Sequence, residues 1–157
     1  MKYSTFKKNI CKLIEKTLDQ GKTIPCYENH DGALYFLPDR DKAYYAYRLE
    51  GSDITEPQDQ ARRVELHRVF PDIENCFYAE RVQDYEEKLK TGETVYKFTV
   101  PGEWGFDRYF QKKFVKKFPE NAKFYIPRGP GRFNALVGLW EDDHINIIGC
   151  ICPMMWR

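Results

Sequence analysis

The sequence predicts an α+β domain: an antiparallel sheet of about five or six strands with two main amphipathic helices packed on one face. Three observations carry that expectation. Apolar residues recur at helical spacing near the N-terminus and again between residues 106 and 118. Short aromatic-rich alternating runs fill much of the rest, and Pro- and Gly-containing loops punctuate the changes of pattern. A chain of 157 residues fits a single globular domain, 1–157, long enough to bury about two thirds of the surface its unfolded form exposes. Hydrophobic residues at 42%, aromatics at 16% and charged residues at 31% supply both a core and a solvated exterior, which excludes intrinsic disorder as its class.

Taken in order, Ser4 is placed to cap a first helix whose Phe6, Ile10, Leu13, Ile14 and Leu18 share a face, with Gly21 as its stop. Residues 33–37 and 43–49 read as a β-hairpin around Pro38, Asp39, Arg40 and Asp41, with Tyr45, Tyr47 and Leu49 on one face of the second strand. Pro57 suits the first turn of a helix over 57–70, although Val64, Leu66 and Phe70 also have strand parity. A second acidic helix is expected over 80–90, with Val82, Tyr85 and Leu89 on one side and Gly92 at its end. Residues 94–100 alternate as a strand.

A helix over 105–118 follows, its stripe of Phe106, Phe110, Phe114 and Phe118 set against the sheet and a row of Arg108, Lys112 and Lys116 on the far side. Pro119 ends it, because proline disfavours helical geometry in the residue before it. Residues 123–126 are a short strand. Strands over 133–140 and 145–152 then form a hairpin through Glu141, Asp142, Asp143 and His144, which is the most apolar part of the chain. The tail, with Met154, Met155 and Trp156, is apolar enough to dock on the body or on a second copy of the chain.

Charge is segregated. The stretch 108–132 holds eight of the 25 Lys and Arg residues against one acid, Glu120, and removing it leaves 17 basic and 23 acidic residues. Six aromatic residues are interleaved there, the combination that binds phosphates and stacks on unpaired bases. The candidate binding residues are therefore Arg108, Lys112 and Lys116 on the helix and Arg128 and Arg132 in the following loop, facing an acidic protein surface or nucleic acid. A pI near 7.6 falls short of the strongly basic character of a dedicated nucleic-acid domain. The glycines around Arg128 and Arg132 resemble a phosphate loop only superficially, since they lead into a strand and Pro130 removes a donor.

Five cysteines at irregular spacing read as reduced thiols, and no run approaches the ~20 apolar residues a membrane helix needs, so a cytoplasmic protein without membrane contact is expected. Cys26, His30, Cys150 and Cys152, with His144, offer soft ligands for one zinc ion, but neither spacing is a paired CxxC, and neither metal nor cofactor is expected. Cys26 or Cys76 beside His30, His67 or His144 would be the nucleophile and base of an enzyme, yet no glycine-flanked nucleophile accompanies them. Trp104 and Trp140 are both candidate exposed anchors for a partner, with core packing the preferred role for Trp140 at the end of an apolar strand. The functional expectation is a small intracellular non-catalytic binding module, with a small hydrolase or nuclease built from His and Asp/Glu residues as the alternative.

Overall fold

The computed structural model describes residues 1–29, 32–39, 44–50, 58–60, 71–129 and 134–154, with backbone alone at 58–60. Among them an 11-stranded sheet dominates, ten strands following one hydrogen-bonded path and the eleventh attached at its side. The two described α-helices are very unequal: α1 (Tyr3–Asp19) has 17 residues and α2 (Lys112–Val115) only four. The expected sheet of five or six strands under two main helices is therefore wrong in both strand number and helix content.

Helix α1 buries Phe6, Ile10 and Ile14 as the periodicity predicts, but it starts before Ser4, at Tyr3. Lys2 is its N-cap, without a side-chain cap. The expected stop is present: Gly21 has φ 71°, and the amides of Gly21 and Lys22 return to the carbonyls of Leu18 and Thr17 in a Schellman closure. Strand β1 (Ile24–Glu28), absent from the sequence reading, pairs antiparallel with β2 (Leu34–Phe36), which pairs antiparallel with β3 (Tyr45–Leu49) as the predicted hairpin. Residues 58–60 form β4 (Gln58–Gln60), parallel to β1, where the start of a helix over 57–70 was expected. The rest of that segment lies outside the described residues.

A turn of 3-10 helix (Ile73–Asn75) leads into β5 (Cys76–Arg81). The helix expected over 80–90 does not form. Its amides pair outward instead, Val82 N–H to the Lys97 carbonyl and Leu89 N–H to the Glu93 carbonyl, both at 2.8 Å, around a turn with Asp84 at φ 65°. This places the short β6 (Glu87–Lys88) beside β7 (Thr94–Thr99), the latter as predicted. The helix expected over 105–118 is also overturned: it is β8 (Arg108–Gln111), paired antiparallel with β7, followed by α2. Strands β9 (Lys123–Pro127), β10 (Ala135–Glu141) and β11 (His144–Ile151) match expectation. Asp142 and Asp143, at φ 46° and 63°, make the tight turn of the last hairpin.

The strand path runs β4-β1-β2-β3-β11-β10-β9-β5-β7-β6. At β5 it forks: residues from Cys76 to Ala79 pair with β9, while Glu80 and Arg81 pair with β7. The sheet also curls round on itself. Beyond β11 the Cys152 amide donates to the Tyr44 carbonyl at 2.8 Å, and the Met154 amide donates to the Tyr109 carbonyl of β8 at 2.7 Å. The chain thus bounds β8 on the side opposite β7, and the expected docking of the tail on the body holds as far as Met154.

Register separates two apolar faces. The inner row runs Phe36, Tyr47, Gly149, Val137, Phe124 and Ala79 across six strands, facing α1 and the interior of the curl. Phe6 of α1 lies 5.5 Å from Tyr47 and 5.8 Å from Phe118 between ring centres. Gly149 is required here, because a Cβ at that position would overlap the Ala46 carbonyl and come within 2.6 Å of the Phe118 ring. On the outer face, Ala46, Cys150, Leu136 and Tyr125 form a second buried row. Among the described residues no helix is long and apolar enough to cross a membrane.

Candidate functional site

A cleft of about 1100 Å³ opens at the fork of β5, where β9 and β7 diverge and the 116–122 connection fills only part of the gap. Its floor is core: Ala79, Phe98, Phe118 and Phe124. The rim carries three cations from three segments, Arg81 at the end of β5, Lys116 just beyond α2 and Lys123 at the start of β9. Two acids, Glu80 and Glu120, also line it, and Glu120 lies 3.4 Å from the Met1 amino group.

Aromatic rings accompany the cations. The Arg81 guanidinium lies 3.6 Å from the centre of the Tyr96 ring, and Lys123 lies 5.2 Å from that of Tyr78. Such contacts contribute roughly 0.5–2 kcal/mol each and hold the charged groups in place without neutralising them. The Nε of Arg81 is buried without a hydrogen-bond partner. Tyr78 is 39% exposed and Trp140 54%, so two rings at the cleft are part-exposed, that of Tyr78 with Lys123 over it. Trp140 is thus not the core residue that its apolar strand suggests.

Of the four described residues singled out from sequence, only Lys116 lines this cleft. Arg108, Lys112 and Lys116 do not form a helical row, since they sit on β8, at the strand-to-helix junction and past α2. Lys112 is 2.9 Å from Glu86. That hydrogen bond, with the charges of Lys112, Arg81 and Lys116 behind it, holds the Glu86 carboxyl below the ordinary carboxylate range. Arg108 donates through Nη1 to the carbonyl of Asp107 at 2.9 Å and more weakly to that of Gly105 at 3.4 Å. Arg128 lies 4.6 Å from the Phe77 ring centre, at the other end of β5, and Arg132 is outside the described residues.

The groups considered for catalysis or metal binding are dispersed. Register places Cys26 opposite Phe36 on the inner face, whereas Cys150 pairs with Ala46 on the outer one, so the two thiols cannot share an ion. Burial pushes the Cys76 and Cys150 thiols up to about 12, which leaves them protonated at neutral pH and poor nucleophiles. His144 is exposed in the last hairpin turn, with Nδ1 3.3 Å from the Asp142 carbonyl. No group of three His, Cys, Asp or Glu side chains suited to a metal occurs among the described residues. His30 and His67 lie outside them.

Sequence reasoning missed Arg81, Lys123 and Tyr78, and preferred a core role for Trp140 over that of an exposed anchor. Lys123 stood inside the basic stretch and could have been chosen, but Arg81, Tyr78 and Trp140 come from strands whose adjacency only the topology reveals. Comparison with protein-family models, with curated proteins and with solved structures finds no match for the chain.

Proposed function

We propose that this chain is a binding module whose cleft takes single-stranded nucleic acid. Arg81, Lys116 and Lys123 contact phosphates, and the part-exposed rings of Tyr78 and Trp140 stack on bases. The observation that carries the reading is the convergence, at one fork in the sheet, of three cations with two part-exposed rings drawn from separate elements. An exposed tyrosine or tryptophan leaves apolar surface in water, and stacking a base on it recovers roughly 1–3 kcal/mol independently of sequence. Duplex nucleic acid would use the cations but not the rings. An acidic protein surface would also satisfy the cations, and it is the competing outcome of the test.

The test is a fluorescence anisotropy titration of a labelled oligothymidylate at two salt concentrations. Three phosphate contacts give a slope of log K against log salt of roughly −2 for a single strand. The triple variant R81E/K116E/K123E is expected to lose at least tenfold in affinity while keeping its circular dichroism spectrum. Trp140→Ala should weaken binding with the salt slope unchanged, because it removes stacking and no charge. Absence of binding by the wild-type protein at low salt would refute the reading, and binding of a polyglutamate peptide instead would transfer the cleft to an acidic protein partner.

A further inference from the structure

Strand β5 carries a cation on a ring at both ends. Phe77, Ala79 and Arg81 alternate onto the same face, so Arg81 over Tyr96 marks the cleft end and Phe77 under Arg128 marks the other. Four residues of extended chain separate them, about 13 Å, and because Ala79 between them is buried a ligand that reaches both ends passes around this face and not across it. Beside the Phe77 end, the β7–β8 hairpin turns through Gly102 and Gly105, at φ 78° and 83°, and projects Trp104 from its tip. Trp104 is 95% exposed, the largest exposure among the described large apolar side chains. No described packing contact accounts for a tryptophan there.

The base of this tip is braced. Phe106 packs edge-on to Phe77 with ring centres 5.0 Å apart, and Arg108 bonds the carbonyls on either side of Phe106. Of the nearby acids, Asp107 is held by Lys97 at 3.5 Å and Glu103 stays exposed, while Asp72 and Glu74 lie on the Arg128 side, where the Arg128 amide bonds the Asn75 carbonyl. Arg128 is exposed above Phe77. A ring offered almost whole to solvent, two residues from the Phe106 that packs on Phe77 beneath the exposed Arg128 guanidinium, repeats the chemistry of the cleft at a second place.

We propose that the hairpin tip is a second contact for the same nucleic-acid strand: a strand long enough to span both ends of β5 stacks a base on Trp104 and sets a phosphate against Arg128. Arg108 acts as a positioning residue for the loop. The inference rests on the cleft reading and adds a length dependence to it. An oligonucleotide that fills only the cleft gains nothing from Trp104.

Anisotropy with labelled oligothymidylates of about 6 and about 24 nucleotides, on either side of typical single-strand site sizes, tests it. The longer strand is expected to bind wild type at least tenfold more tightly than the shorter. Trp104→Ala and Arg128→Glu should each lose most of that gain and leave the short strand unaffected, with melting midpoints unchanged as a check on folding. A wild type that binds both lengths alike, or variants that weaken both lengths equally or neither, would overturn the second contact while the cleft reading stands. If wild type binds neither length, the cleft reading fails first and this inference fails with it.

Discussion

At the scale of single residues, packing around Gly149 is the most constrained feature of the core. Phe118 occupies the space a side chain at 149 would need, and the Ala46 carbonyl closes the other side. Gly149→Ala should therefore destabilise the protein by about 1–3 kcal/mol through overpacking. The melting midpoint should fall by roughly 2–4 °C per kcal/mol for a chain of this size. An unchanged midpoint would mean that Phe118 moves freely, contrary to its close ring contacts with Phe6 and Tyr47. The buried thiols make a second prediction. Cys76 and Cys150 rise from 9.0 to about 12 in the fold, chiefly through burial. Above pH ~9 the unfolded chain releases these protons and the native state retains them, so stability falls as pH rises from 9 towards 12. Tyr45 and Tyr47, also raised chiefly by burial, act in the same direction above pH ~10. Urea unfolding from pH 7 to 11 should show a plateau and then a decline, shallower in a variant carrying Cys76→Ala and Cys150→Ala.

At the scale of elements, the sequence was legible where one period excluded the other. Tyr96, Phe98 and Val100 alternate with Lys97 and Thr99, and residues 135–140 are a short continuous apolar run closed by a polar turn, as a buried strand is. Phe106, Phe110, Phe114 and Phe118 misled because a spacing of four satisfies both periods: it is close to one helical turn and equals two strand repeats. In the fold Phe106 lies in the loop before β8 and Phe110 on β8 itself, while Phe114 belongs to the short α2 and Phe118 to the bend after it. Arg108 was assigned to a far helix face by the same ambiguity. The turn of the last hairpin offers a direct check on local reasoning. Asp142 and Asp143 both adopt positive φ, as a type I′ turn requires, and glycine tolerates that region better than aspartate. Replacing the pair by Asn-Gly should stabilise the protein by roughly 0.5–1 kcal/mol, seen as a higher urea midpoint. A lower midpoint would show that one of the carboxylates has a role in the fold.

At the scale of the whole molecule, charge segregation was visible in the sequence but the site was not. The basic stretch contributes Lys116 and Lys123, and the strand path brings Arg81 and Tyr78 from β5 and Trp140 from β10 to meet them. That meeting depends on the curl of the sheet, which in turn depends on how the two ends of the curl are held. The contact from Met154 N–H to the Tyr109 carbonyl covers the free edge of β8. Met154→Pro deletes the donor and keeps most of the apolar volume, whereas Met154→Ala keeps the donor and deletes the volume. Loss of one such bond costs roughly 0.5–1.5 kcal/mol, and more if the carbonyl is left buried and unpaired. The proline variant should show faster amide exchange at Tyr109 and its neighbours on β8, with the exchange of β1 and β2 unaltered, because they sit at the far end of the path. Equal acceleration in the alanine variant would assign the closure to side-chain packing, and no acceleration in either would mean that β8 is held by β7 alone.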